Sequence, residues 1–153
     1  MVVNTFIFPI VRRDYILPAL DSLYNHTPRN YKVIVVNQAR YDDEFDLQLW
    51  DRCDVVIRTQ KNYGFAQASN LGTRLATTEY VTICNDDVLF FWDEWWDGII
   101  ETFDKFPTAL GVTPMSPKEP GWGYGEPGYR VHATLDGCRA DPDGTVQRLK
   151  EQW

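Results

Sequence analysis

The sequence predicts an α/β fold, a mostly parallel sheet flanked by helices with a C-terminal hairpin and loop region. Three observations predict it. Short β-branched runs alternate with amphipathic segments at the spacing of βαβ units. One run, "YKVIVVN" at 31–37, is a continuous β-branched run, as a strand covered on both faces is. The chain has 153 residues, 44% of them hydrophobic, with six Trp, eight Tyr and eight Phe, which is the core of one ordinary domain.

The elements follow in order. Residues 2–10, "VVNTFIFPI", read as the first strand. In 14–25, "DYILPALDSLYN", residues Ile16, Leu17, Leu20, Leu23 and Tyr24 share a helical face, and Pro18 sits in the first turns, where it is tolerated. After the 31–37 strand, "YDDEFDLQLWDR" reads as a helix and "DVVIR", 54–58, as a short strand. The stretch 62–78, "NYGFAQASNLGTRLATT", leads into a helix with Ala68, Leu71, Gly72 and Leu75 on one face. "EYVTIC" is the next strand, and Cys84 within it reads as core. "DEWWDGIIETFDKF", 93–106, is a helix that Asp93 can cap, with Trp95, Trp96, Ile99, Ile100 and Phe103 as its apolar stripe. "ALGVTP" is strand-like. Beyond Thr113 the Pro- and Gly-rich "PMSPKEPGWGYGEPGYR" is no regular element, and "YRVHATL" with "TVQRL" reads as a terminal hairpin.

The totals exclude several classes. A net charge of −7 argues against a duplex nucleic-acid binder, although an acidic protein still binds anions through backbone N–H groups or a metal. No apolar stretch approaches the roughly 18 residues of a membrane span. The opening "MVVNTFIFPIVRRDY" lacks the basic segment ahead of an apolar run that marks a secretory leader. Cys53, Cys84 and Cys138 form no CxxC pair and read as reduced thiols. A cytoplasmic protein is expected.

Parallel sheets bind ligands at the carboxyl ends of their strands. Three polar stretches fall there: Ile10 to Arg13, Asn37 to Arg40, and Asn85-Asp86-Asp87. Adjacent carboxylates repel, and at the end of a buried strand they call for a counter-charge. Hard oxygen ligands suit Mg²⁺ or Mn²⁺ held jointly with substrate phosphates. The plainer reading is a turn, or Asp87 capping a short helix. Likewise Gly64 can serve only a turn, Asn70 only a local brace, Gln38 only a strand end, and Arg12 with Arg13 only a solvated basic pair.

Asn62, Gly64, Asn70 and the Asp pair stand in the order N-x-G-x₅-N-x₁₄-N-D-D. With "PIVRRDYILPALDSL" and "VIVVNQARYDD", this order resembles the family 2 glycosyltransferases of the GT-A fold, a Rossmann-like architecture, over residues 2 to 113. The resemblance implies a metal-dependent transfer of a sugar from a nucleoside diphosphate sugar, with a UDP-sugar expected, to an acceptor hydroxyl, with inversion. It implies that Pro9 and Ile10 lie against the nucleotide and that Asn37 and Gln38 contact the nucleobase. The amides stand where an Asp is usual. Asn62 and Gly64 correspond to the loop beside the nucleotide, and Asn70 to the helix Asn that braces it. Asp86 corresponds to the position near the ribose and the metal's water shell, and Asp87 to the direct ligand of Mn²⁺ or Mg²⁺. Residues 1–113 would be the donor-binding core and 114–153 a short acceptor-side loop and hairpin of the same domain.

Inverting members use a carboxylate base on the acceptor side. No "ED" or "DED" stretch follows Asp87, and Glu126 and Asp136 are the base candidates. Trp122, Tyr124 and Tyr129 could stack on an acceptor sugar or cover the sheet edge. His132 could complete the metal site or be structural. The acceptor could be a glycan, a lipid, a protein or a modified nucleic acid. Three expectations follow: a compact enzyme; a donor-binding half whose acceptor side comes from another chain, as in a homo-oligomer, or was removed; or a non-catalytic nucleotide-sugar or glycan-binding module without a base. A pyrophosphate-forming sugar-nucleotide transferase needs a Gly-rich basic loop near the N-terminus, and "FPIVRRDY" has no glycine.

Overall fold

The structure is a computed structural model that describes residues 3–28 and 30–112. The chain divides into two compact units, Met1–Phe90 and Phe91–Trp153. The first unit holds strands β1 (Asn4–Ile10), β2 (Tyr31–Asn37), β3 (Val55–Arg58) and β4 (Tyr80–Ile83), with helices α1 (Ile16–His26), α2 (Asp43–Arg52) and α3 (Phe65–Thr73). The second holds α4 (Trp95–Lys105).

The four strands form one parallel sheet in the order β3-β2-β1-β4. β1 is buried at every position, and β2 from Val33 to Asn37, because both are central and both of their faces are covered. On one face Ile7, Ile34, Val36 and Ala68 of α3 form a core, with Val55, Ile57 and Leu71 packed against it. On the other face Phe6 meets Tyr31 edge-on at 5.1 Å and Phe90 at 6.0 Å, and Tyr24 of α1 stacks on Tyr31. α3 approaches closely because Gly72 has no side chain: a Cβ there would stand 2.5 Å from Ile7 Cγ2 and 3.3 Å from Val36 Cγ2.

Register aligns the carboxyl ends. Ile10 pairs with Asn37, and Asn37 with Arg58. β4 pairs β1 only as far as Ile7↔Ile83, so Pro9, which has no N–H to donate, falls beyond the last β1–β4 pair. Strand order reverses at β1, and β1 and β4 part there. This is the switch point at which open parallel sheets place a crevice.

Several expected boundaries move. The helix expected over 62–78 is Phe65–Thr73, because Gly64 holds φ +83°, outside any helix. Leu75, expected on its buried face, lies past its end and is exposed. α4 is capped at Glu94 without a side-chain bond, not by Asp93; Trp96 is its buried residue. Of the expected strand "ALGVTP", residues 109–112 are irregular, with Leu110 in solvent and no described strand to satisfy their backbone groups. The hairpin, Cys138 and the whole 114–153 segment lie outside the described residues. Cys84 is core as expected, and burial pushes its thiol up to about 12. No described helix is long and apolar enough to cross a membrane.

Candidate functional site at the carboxyl ends of the strands

Asp86 and Asp87 form the turn that follows β4. Asp86 is half-buried and Asp87 exposed. Neither makes an ion pair within 4.0 Å among the described residues. Burial raises the Asp86 carboxyl above the ordinary carboxylate range, and the Asp87 charge adds to the rise. The Arg12 guanidinium, reaching over from the loop after β1, pulls it back in part. The tripeptide is a turn in its backbone, and among the described residues its two carboxylates form no ion pair, with the Arg12 charge offsetting theirs only in part.

The two arginines of "VRRDY" separate. Arg12 is exposed, stands 5.0 Å from the Tyr15 ring centroid, and its charge acts on Asp86. Arg13 is committed elsewhere: it pairs with Asp42 and donates to the Arg40 carbonyl at 3.3 Å. Asp42 in turn caps α2, accepting from the Phe45 N–H at 3.0 Å, so the loop after β1 is pinned to the start of α2. That bond, with the Arg13 charge, holds the Asp42 carboxyl below its usual range.

Asn37 departs from its expected role. It is fully buried, its Nδ2 donates to Asp46 Oδ1 at 2.7 Å, and its Oδ1 accepts from the Ala39 N–H at 2.9 Å. An amide so engaged braces the strand end. Asp46, 3% exposed, also receives Arg58 Nη1 at 2.6 Å, and Arg58 Nη2 reaches the Ala39 carbonyl at 3.3 Å. The carboxylate on α2 thus ties the ends of β2 and β3 together. Sequence reasoning missed Asp46, yet a signal existed. Asp42, Phe45, Asp46 and Leu49 follow the i, i+3, i+4, i+7 spacing of an inward stripe, and a carboxylate there needs a partner.

Gln38 is 6% exposed. Its Oε1 accepts from the Tyr63 N–H at 2.8 Å, which joins the end of β2 to the Asn62–Gly64 loop. Its Nε2 is buried with no hydrogen-bond partner among the described residues. Asn62 turns the loop on itself, its Oδ1 accepting from the Gly64 N–H at 2.7 Å. Gly64, at φ +83° and ψ 169°, occupies a conformation reserved almost wholly for glycine. Asn70 is exposed on α3, and its side chain makes no bond to this loop or to β4. The expected brace is absent because Asn70 lies on the solvent side, one step from the buried Ser69. Pro9 and Ile10 end β1 inside the core, so only the backbone beyond them can line a crevice.

No group of three His, Cys, Asp or Glu side chains gathers for a metal among the described residues. Trp122, Tyr124, Glu126, Tyr129, His132 and Asp136 lie outside them.

Known proteins carry the same architecture. Staphylococcus aureus TarS 1–349 superposes with a TM-score of 0.57 at 19% identity, over 76% of this chain and 40% of that one. The mannosyltransferase PcManGT of Pyrobaculum calidifontis, solved with GDP-Man and Mn²⁺, superposes with a TM-score of 0.55 at 24% identity, over 65% of this chain and 32% of that one. At these identities the likeness shows the GT-A fold. An uncharacterized glycosyltransferase of Rickettsia bellii is 32% identical over 56% of this chain, which spans 13% of that protein. One of Haemophilus influenzae is 30% identical over 56% of the chain, which spans 30% of it. The chain therefore spans less than a third of these curated relatives. The sequence model of glycosyl transferase family 2 matches residues 5–137, most of the chain, and the chain belongs to that family.

Proposed function

We propose that this chain is the donor-binding part of a metal-dependent glycosyltransferase, which moves a sugar from a nucleoside diphosphate sugar to an acceptor hydroxyl with inversion. A UDP-sugar is the first donor to test. One observation carries the reading. Asp86 and Asp87 stand at the carboxyl end of β4, beside the point where strand order reverses, without an ion pair among the described residues.

The residues fit Mn²⁺ or Mg²⁺. Two adjacent carboxylates with a raised proton affinity at Asp86 supply hard oxygens, and among the described residues they form no ion pair, the Arg12 charge meeting them only in part. With no third protein ligand among the described residues, the remaining positions fall to water and to the diphosphate, as is usual for such ions. Bound there, the ion would neutralise charge on the leaving diphosphate. Asp87 would hold it directly and Asp86 would face the ribose and the ion's water. Arg12 would face the phosphates from the loop after β1. Glu126 or Asp136 would take the proton of the acceptor hydroxyl, His132 would add a ligand, and Trp122 and Tyr124 would stack on the acceptor. Residues 1–113 would form the donor core and 114–153 the acceptor side.

The test is calorimetric titration of UDP and GDP with and without Mn²⁺, beside Asp87→Ala. Binding that needs the metal and fails in the variant supports the site. A folded chain that binds neither nucleotide refutes it. Metal-dependent binding without turnover on any donor would select a nucleotide-sugar-binding module.

A further inference from the structure

We infer that Asp46 is a positioning residue for the nucleoside end of the donor: buried on α2, it aims the Arg58 guanidinium at the cavity beside the ends of β2 and β3, where that end lies. The inference rests on the donor-site reading above and adds a division of the site, with the diphosphate at β4 and the nucleoside across β1 from it.

The sheet sets the division. β2 and β4 flank β1. Neighbouring strands lie about 4.8 Å apart, so the ends of β2 and β4 stand on the order of 10 Å apart. One nucleoside diphosphate bridges that span with its diphosphate at Asp86 and Asp87. Its nucleoside then reaches the cavity of about 560 Å³ lined by Gln38, Ala39, Arg40, Tyr41 and Arg58 among others.

Arg58 is the last residue of β3 and pairs in register with Asn37, the last of β2. Three contacts fix its guanidinium. Nη1 donates to Asp46 Oδ1 at 2.6 Å, Nη2 donates to the Ala39 carbonyl at 3.3 Å, and the Tyr41 ring centroid lies 4.8 Å away. One bond alone would let the planar group turn; the three together set its plane. A quarter of the side chain is exposed, and N–H groups beyond those two bonds are left for a ligand. Asp46, 3% exposed, stands behind Arg58 and acts through it. The same Oδ1 takes Asn37 Nδ2 at 2.7 Å, which holds the carboxylate to the end of β2.

Stability accounts poorly for this arrangement. Desolvation offsets most of the attraction in a buried ion pair, and apolar residues of similar volume often serve as well. What the pair supplies is direction. An apolar side chain at position 46 would fill the space and leave Arg58 unaimed.

Calorimetric affinities of UDP, GDP and inorganic pyrophosphate, each with Mn²⁺, test this on the whole chain, beside thermal unfolding. Arg58→Lys keeps a cation for Asp46 but loses the fork. Asp46→Asn keeps the shape and an acceptor but loses the charge that holds the fork. Each should weaken the tighter of UDP and GDP at least about tenfold, and pyrophosphate less than about twofold. Together they should cost little more than one alone, since both act through one contact. A merely structural role would weaken nucleotide and pyrophosphate alike, or lower Tm with every affinity unchanged; either result overturns the inference. So does a wild-type protein that binds pyrophosphate as tightly as it binds UDP and GDP, a result that leaves the site at the Asp pair standing. A wild-type protein that binds none of the three refutes the donor site itself, and the inference with it.

Discussion

Replacing Gly72 by alanine should destabilise the sheet unit even though alanine is the better helix former. The methyl group would arrive 2.5 Å from Ile7 Cγ2 and 3.3 Å from Val36 Cγ2. Both partners are β-branched, fully buried and on central strands, so neither side chain can swing away without leaving its rotamer well. Inserting a methyl group into such packing costs about 1–3 kcal/mol. Helix propensity returns about 1 kcal/mol of that. The net loss is up to about 2 kcal/mol, or up to about 8 °C in Tm for a chain of this size, and the 2.5 Å approach to a β-branched partner places it toward the upper end.

The assay is a double-mutant cycle followed by denaturant and thermal unfolding. Ile7→Leu removes Cγ2, the atom struck, at nearly constant volume and a cost under about 1.5 kcal/mol. On that background Gly72→Ala should cost less by on the order of 1 kcal/mol, a coupling larger than the ~0.3–0.5 kcal/mol seen between independent sites. If Gly72→Ala stabilises the wild type, or if the two substitutions simply add, then α3 does not press on β1 at Gly72. The close approach that sets the loop before α3 would then be misdescribed.

Two further predictions concern charge. Arg58→Ala should destabilise by about 3–5 kcal/mol in urea unfolding, because it strands the buried Asp46 carboxylate; adding Asp46→Asn should recover a large part, since the stranded charge is then gone. Asp86→Asn should raise stability near neutral pH. The Asp86 carboxyl is raised in the folded state, so the protonated form favours folding, and that contribution is lost as pH rises through its folded value. The advantage of the variant in thermal unfolding should therefore shrink as pH falls into the carboxylate range, and a flat difference across pH would show that Asp86 carries no such burden.

Much of the fold was legible because central parallel strands leave a coarse mark. A run such as Val33–Val36 is apolar on both faces, and no surface helix tolerates that. The Asp pair was legible for a related reason: two carboxylates ending a strand are costly enough to be noticed. The interior of the site was not, because it depends on which way single amides turn. Asn37 and Gln38 are adjacent and chemically alike. Parity along the strand sends Asn37 toward α2, where Asp46 receives it, and Gln38 toward the loop before α3, where the Tyr63 N–H receives it. Only in the first does each polar side-chain atom have a partner among the described residues. That Asn37 is a brace thus depends on one helix position, Asp46, whose acidity resembles that of the solvated Asp43, Glu44 and Asp51 around it. A sequence shows that charge, but only its register against the ends of β2 and β3 decides that it is spent inside the protein.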